Sequence, residues 1–117
     1  MTILIIINDA PYGGESAYNA LRLANQIKKD SPDSEVRVFL MADAVTCAIP
    51  NQKTPDGYYN IERFLKGLAA KKCPIRLCGT CIDARGLGDA KFIDGSMRSN
   101  LAELSDWVIT SEKVLTF

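Results

Sequence analysis

Histidine is absent from this sequence of 117 residues. Imidazole is the usual general base for serine and cysteine nucleophiles, and it is a frequent metal ligand. Its absence therefore excludes Ser-His and Cys-His nucleophile pairs and every metal site that requires histidine. Any chemistry must come from Cys, Asp, Glu, Lys, Arg or Tyr side chains or from backbone amides. We predict neither a bound metal nor a cofactor.

The sequence also lacks an excess of either charge and a long apolar run. The 14 Lys and Arg residues balance 14 Asp and Glu residues, so the formal net charge is zero, whereas nucleic-acid-binding domains carry a basic patch. No apolar run approaches the roughly 18 residues that a membrane span requires, and the opening segment lacks the features of a signal peptide. These absences predict a cytoplasmic protein that binds neither nucleic acid nor membranes.

The residues that are present suffice for one domain over 1–117, because 47% of them are hydrophobic. Apolar runs of strand length alternate with segments of helical periodicity. The predicted strands cover 2–7, 36–41, 75–78, 91–93 and 114–117. The predicted helices cover 17–29, 61–71, 81–85 and 97–110, with a helical turn at 42–45 and an exposed loop at 49–57.

Alternating strands and helices are typical of parallel crossovers. We therefore predict a three-layer α/β/α sandwich of flavodoxin-like shape, with a mainly parallel sheet of about five strands. In such sheets ligands and reacting groups gather beyond the C-terminal ends of the strands, which selects the loops 8–14, 41–47 and 78–85. A chain this short has few residues to cover both faces of the sheet, so we also expect self-association.

Four cysteines are present, and Cys78 and Cys81 have the C-x-x-C spacing. A disulfide framework is not expected, because the core is sufficient and no secretion signal precedes it. A zinc site of four cysteines needs a second closely spaced pair, which Cys47 and Cys73 do not form. A thioredoxin-like dithiol needs a later X-Pro segment opposite the thiols, but the last proline is Pro74.

A reactive thiolate at Cys78 is the fourth interpretation. Cys78 ends a predicted strand, Thr80 is the predicted N-cap of the following helix, and that helix starts at Cys81. Backbone amides and a helix dipole ahead of the thiol lower its pKa, so a thiolate forms without a histidine base and can carry sulfur as a persulfide. The opposing interpretation, a small buried hydrophobic side chain, applies best to Cys73 and then to Cys47.

Particular segments carry a family resemblance. They are 77–87 around Cys78, the Ile-rich opening strand with Asn8, Asp9, Pro11 and Tyr12, the stretch 39–45, and the terminal 113–117. Together these segments resemble the DsrE/DsrF-like proteins over nearly the whole chain. The resemblance implies a compact α/β/α fold and homo-oligomers such as trimers or hexamers. In the sulfur-relay members it also implies a persulfide-carrying cysteine at the position of Cys78.

This resemblance favours a sulfur relay in which Cys78 takes sulfur from a donor protein and passes it to an acceptor thiol. Cys81 departs from a single-thiol relay, and it would release the sulfur or close a disulfide with Cys78. Two alternatives stay open. One is a non-catalytic oligomeric protein for binding or assembly, and the other is a C-x-x-C thiol-disulfide redox protein.

Further residues are predicted around Cys78 in supporting roles. Thr80 would cap the helix so that its amides face the anion, and Arg85 would add positive potential or act only as a cation at the helix C-terminus. The loops at the strand ends would supply the two walls of the cleft, for which a plain turn role is the alternative. One wall consists of Asn8, Asp9 and Tyr12, and the other consists of Asp43 and Cys47.

Overall fold

Strands and helices alternate along residues 1–117, all of which the computed structural model describes. The strands are β1 (Thr2–Ile7), β2 (Glu35–Leu40), β3 (Ile75–Cys78), β4 (Ser96–Ser99) and β5 (Lys113–Thr116). The helices are α1 (Ser16–Asp30), α2 (Ile61–Ala70), α3 (Gly79–Ala84) and α4 (Leu101–Thr110). A 3₁₀ segment, Ala42–Ala48, follows β2 and extends the helical turn that the sequence predicts there.

The five strands form one parallel sheet in the order β4-β3-β2-β1-β5. Successive steps from β1 to β2 and from β2 to β3 run in one direction, whereas the step from β4 to β5 runs back across the sheet. Because such crossovers are right-handed, α1 and α2 cover one face and α4 covers the other. The predicted α/β fold with a five-stranded parallel sheet is confirmed. None of the helices has the length and apolar character of a membrane-crossing segment.

Strand β1 explains why the chain opens with an uninterrupted aliphatic run. It pairs with β2 on one side and with β5 on the other, and Leu4, Ile5 and Ile7 have no exposed surface. A strand that is covered on both faces has no solvent side on which polar residues would alternate. The hydrophobic core of the protein is centred on this strand.

On its own face of the sheet, α4 is held by Trp107. The indole packs edge to face against Phe39 with the ring centroids 6.1 Å apart. The guanidinium groups of Arg37 and Arg76 lie over the same ring, 5.6 and 5.4 Å from its centroid. The assignment of residues 107–110 to a helix rather than a strand is therefore confirmed.

The prediction of a fourth strand at 91–93 is wrong. Ile93 is buried in a loop, where its N–H donates to the carbonyl of Ala48 at 2.9 Å, and the strand that pairs with β3 is β4. The apolar residues at 91–93 indicate that this loop is partly buried, not that it pairs as a strand. The edge strand β4 is mostly polar, because an edge strand needs few apolar residues. The last helix consequently begins at Leu101 instead of near Met97, and Asn100 caps it by accepting from the N–H of Glu103.

The long loop between Ile49 and Asn60 is exposed at its tip, as predicted, and one side chain fastens its base. The Gln52 amide donates to the carbonyls of Cys47 and Ile49, both at 2.9 Å, and accepts from the Tyr12 hydroxyl at 2.6 Å. These contacts hold the loop against the 3₁₀ segment and against Tyr12.

We expect Trp107→Ala to lower the free energy of unfolding by about 3–5 kcal/mol, because α4 loses its main contact with the sheet. Urea unfolding followed by far-UV circular dichroism measures this change. Ser105→Ala on the exposed side of the same helix is the control, and it should stay within about 0.5 kcal/mol of the parent. Equal effects of the two substitutions would contradict this account of how α4 is held.

Candidate functional site

A pocket of about 630 Å³ opens beyond the C-terminal ends of β2, β3 and β4. Parallel strands end at the same edge of a sheet, so residues that are distant in sequence meet there. The pocket is lined by Phe39, Met41, Cys78, Gly79, Thr80, Cys81, Arg98, Ser99, Asn100, Leu101 and Leu104. A larger depression of about 750 Å³ along α1 is lined mainly by lysine, arginine and amide side chains and contains no thiol.

Cys78 is the last residue of β3 and also the N-cap of α3. Only 8% of its surface is exposed, and its Sγ lies 3.2 Å from the hydroxyl oxygen of Thr80. The prediction that Thr80 is the N-cap and Cys81 the first helical residue is wrong, because α3 begins at Gly79 without a side-chain cap. Thr80 lies in the first turn, and its hydroxyl contacts the thiol of Cys78 instead.

The two thiols of the C-x-x-C segment differ in acidity. Burial raises the pKa of Cys78, but hydrogen bonds from the Cys81 and Thr80 side chains and from the backbone N–H groups of the same residues lower it, and the net shift is downward. Burial and the hydrogen bond with Cys78 raise the pKa of Cys81. Of the two thiols, Cys78 is therefore the one whose environment favours the thiolate.

Cys81 has its own backbone donor. The N–H of Ala42 lies 3.1 Å from the Sγ of Cys81, and Ala42 has a φ of 50°, in the left-handed region that non-glycine residues avoid. Such a conformation costs on the order of 1–3 kcal/mol. The turn at the end of β2 thus points an amide at the second thiol.

Arg98 is a residue of the pocket wall that the sequence analysis missed. Its Nη1 and Nη2 donate to the two carboxylate oxygens of Asp83 at 2.9 and 2.6 Å. A Cβ atom at Gly79 would lie 2.9 Å from the Arg98 Nε, so the guanidinium rests on the backbone next to Cys78. The polar segment 98–100 lies directly before the last helix, but the prediction places it inside that helix, which is expected to begin near Met97.

The predicted cleft residues outside the C-x-x-C segment do not line this pocket. The Asn8 side chain donates to the carbonyl of Phe117, and the Tyr12 hydroxyl donates to Gln52. Asp43 forms an ion pair with Arg85, whose Nε lies 2.9 Å from its Oδ1, beside α3. Of the predicted site residues, Cys78, Thr80 and Cys81 line one pocket, whereas the residues predicted from the other loops lie outside its lining.

The remaining thiols are internal. Burial is the main cause that raises the pKa of Cys47 to about 12, and its thiol donates to the carbonyl of Asp9 at 3.7 Å. Burial also raises the pKa of Cys73. No group of three or more His, Cys, Asp or Glu side chains is arranged to hold a metal ion.

Comparison with known proteins adds an evolutionary relationship to this geometry. The sequence model of the DsrE/DsrF-like family matches residues 1–117. The chain belongs to the DsrE/DsrF-like family. Protein YchN of Escherichia coli strain K12 is 44% identical over 115 residues, which cover 98% of this chain and 97% of YchN. The crystal structure of YchN superimposes with a TM-score of 0.95 over 99% of this DsrE/DsrF-like chain and 98% of YchN.

This DsrE/DsrF-like chain also resembles proteins of lower sequence identity. A protein of Vibrio parahaemolyticus named sulfurtransferase TusD homolog is 24% identical over 131 residues, which cover all of this chain and 98% of that protein. A protein of unknown function from Methanobacterium thermoautotrophicum shares the fold, with a TM-score of 0.75 at 12% identity over 99% of this chain and 97% of its own.

We expect Cys78 to react with iodoacetamide faster than the other three cysteines near neutral pH. Its hydrogen-bonded thiolate should titrate below the free-thiol pKa of about 8.5, so a larger fraction is anionic below that pH. Thr80→Val removes the hydroxyl and keeps a side chain of similar size. The midpoint of the Cys78 titration should therefore move to higher pH, and the alkylation rate of Cys78 at pH 7 should fall. Peptide mapping by mass spectrometry across a pH series measures both.

The buried Cys73 serves as the internal reference in the same samples, and its rate should not change in Thr80→Val. A Cys78 midpoint at or above the free-thiol value would show that Cys78 is a structural thiol.

Proposed function

We propose that the protein carries sulfur as a persulfide on Cys78 and passes it to the thiol of a partner protein. One observation carries this proposal. Among the four cysteines, Cys78 alone combines a lowered pKa with a place in the wall of an open pocket at the strand ends. A lowered pKa supplies the nucleophilic anion without a histidine base.

The transfer consists of two exchanges at sulfur. The Cys78 thiolate attacks the terminal sulfur of a donor persulfide, so a new S–S bond forms, the donor S–S bond breaks, and the donor leaves as a thiolate. The acceptor thiolate then attacks the terminal sulfur on Cys78 in the same way, and Cys78 leaves as a thiolate. Neither step requires an external oxidant or reductant.

The family relationship supports sulfur relay at a coarser level. A related protein carries the name sulfurtransferase TusD homolog, which associates the family with sulfur transfer. The four free cysteines fit a reducing compartment, in keeping with a cytoplasmic protein. Sulfur donor and acceptor proteins are the partners that this function requires.

Cys81 is the basis of a second candidate function. Its thiol lies in the lining of the same pocket as Cys78, so it is placed to attack the inner sulfur of a Cys78 persulfide, form a Cys78–Cys81 disulfide and release hydrosulfide. If the pair cycles between dithiol and disulfide, the protein is a thiol-disulfide oxidoreductase. The raised pKa of Cys81 favours the carrier, because a protonated thiol is a poor attacking group.

We expect incubation with a cysteine desulfurase and cysteine to add the mass of one or more sulfur atoms to the protein. The added mass should disappear with dithiothreitol and should be absent in Cys78→Ser, because no other thiol can accept the sulfur. Intact-mass spectrometry measures the gain.

Cys81→Ser is the matched control for this experiment. It should load like the parent but hold the sulfur longer, because the intramolecular route to a disulfide is removed. Equal loss of loading in both serine variants would favour the oxidoreductase. The absence of loading in the parent protein would favour a non-catalytic binding protein.

We also propose a homo-oligomer, such as a trimer or hexamer. Large apolar side chains are exposed along α4 and the adjoining edge strand: Leu101 is 72% exposed and Ile109 is 79% exposed, and Met97 and Val108 add to them. Exposed apolar groups concentrated in one region are typical of protein interfaces.

Sedimentation at micromolar concentration should therefore give a species larger than the 12.8 kDa monomer. Ile109→Asp places a charge among the exposed side chains of α4 and should shift the protein toward the monomer. Leu23→Asp makes the same change on α1, at the opposite face of the sheet, and should leave the assembly intact. A parent protein that sediments only as a monomer would contradict the proposal.

A further inference from the structure

Arg98 is the only charged residue of the pocket lining, and the other groups are apolar side chains, hydroxyls, an amide, thiols and the glycine backbone. The carboxylates of Asp83, which pairs with Arg98, and of Glu103, which hydrogen-bonds to Ser99, lie outside the lining. A ligand in the pocket therefore directly contacts a positive side chain and no negative one other than the Cys78 thiolate.

The guanidinium of Arg98 is oriented by two sets of contacts before any ligand arrives, although 53% of its side chain is exposed. Asp83 holds Nη1 and Nη2 in a two-oxygen contact, and the bare backbone of Gly79 supports the other side. A Cβ atom at Gly79 would lie 3.1 Å from Cζ, so even alanine would push the group away. A group that is already fixed loses less conformational entropy when it binds a ligand.

Part of the donor capacity of Arg98 is unused. An arginine has five N–H donors, and the contacts to Asp83 occupy one on Nη1 and one on Nη2. The Nε–H beside Gly79 has no protein acceptor. Guanidinium N–H groups of this kind bind carboxylate and other oxyanions in preference to neutral groups.

We propose that Arg98 is a specificity-determining residue, which selects a small anionic sulfur compound as a direct donor to Cys78, alongside a donor protein. The Cys78 thiolate attacks the outer sulfur of thiosulfate or of a small persulfide that carries a carboxylate or sulfonate; the donor S–S bond breaks, and sulfite or a thiolate leaves. The inference deepens the proposed function, and it rests on that function in taking Cys78 as the reacting thiol. A pocket of about 630 Å³ has the size of a small-molecule site.

The electrostatics of the pair agree with this role. The hydrogen bonds with Asp83 are the main cause that raises the pKa of Arg98, and the charge of the Cys78 thiolate raises it further. The thiolate is therefore within electrostatic reach of the guanidinium. An anionic ligand that approaches Cys78 would be repelled by the thiolate alone, and Arg98 offsets that repulsion.

The test compares two alkylating reagents that differ in charge, anionic iodoacetate and neutral iodoacetamide. In both reactions the Cys78 sulfur forms the new S–C bond and iodide leaves with the electron pair of the C–I bond. Because both reagents consume the same thiolate, the ratio of their rate constants cancels any change in the pKa of Cys78. Peptide mass spectrometry follows each rate at Cys78.

We expect the iodoacetate-to-iodoacetamide ratio in the parent protein to exceed that of free cysteine. Arg98→Gln should lower the ratio by about fivefold. Arg98→Lys keeps the positive charge but lacks the planar guanidinium with its paired N–H donors, so it should give an intermediate value. Arg63→Gln is the matched control, because Arg63 is an exposed cation of α2 outside the pocket. Its ratio should equal that of the parent.

Added salt provides a measurement that needs no variant. The ratio in the parent protein should fall toward the free-cysteine value as ionic strength rises. An unchanged ratio in Arg98→Gln, an equal fall in Arg63→Gln, or a salt-independent ratio in the parent would each overturn the inference. Failed persulfide loading together with the expected ratios would contradict the proposed function and leave the anion selectivity of Arg98 in place.

Discussion

The common direction of all five strands is the constraint on which the site depends. Since the strands are parallel, β2, β3 and β4 end at one edge of the sheet. Each of them is followed there by a turn or a helix. Met41, Cys78 and the segment 98–101 meet there although they belong to different parts of the sequence. The uninterrupted aliphatic run of β1 fits a strand that lies between two parallel neighbours and is covered on both faces.

At that edge, the two thiols of the C-x-x-C segment differ in acidity. Thr80 and the local amides stabilise a negative charge on Cys78 and lower its pKa, whereas burial and the neighbouring Cys78 raise the pKa of Cys81. The amide of Ala42 contacts the Sγ of Cys81. A dithiol with this asymmetry favours one nucleophile over an interchangeable pair, which is the arrangement that a sulfur carrier needs.

Much of the fold could be predicted from the sequence, because apolar periodicity and burial coincide in β1, β2, α1 and α2. The same rule failed at Ile93, where an apolar residue anchors a loop to Ala48, and at β4, where an edge strand is mostly polar. The position of Cys78 and Cys81 at a strand end, beside the pocket, could be predicted because it is a local property of the sequence.

Arg98 could not be assigned in that way, because its place beside Cys78 depends on the pairing of β4 with β3 and on the absence of a side chain at Gly79. Asn8, Tyr12 and Asp43 show the opposite error. They follow strand ends, but their side chains are occupied by Phe117, Gln52 and Arg85 instead of facing the pocket. A rule that selects loops does not select the direction of a side chain.

The pairing of β5 with β1 has a consequence for the order of folding. The hydrogen bond from the N–H of Thr2 to the Glu112 carboxylate joins residues 110 positions apart, so β5 docks only after a very long loop is closed. Closing such a loop costs chain entropy before any contact is gained, which makes this pairing a late event. Because α4 precedes β5 directly, the wall of the pocket formed by Leu101 and Leu104 is completed at the same late stage. Until these last elements dock, the pocket beside Cys78 lacks the wall that Leu101 and Leu104 provide.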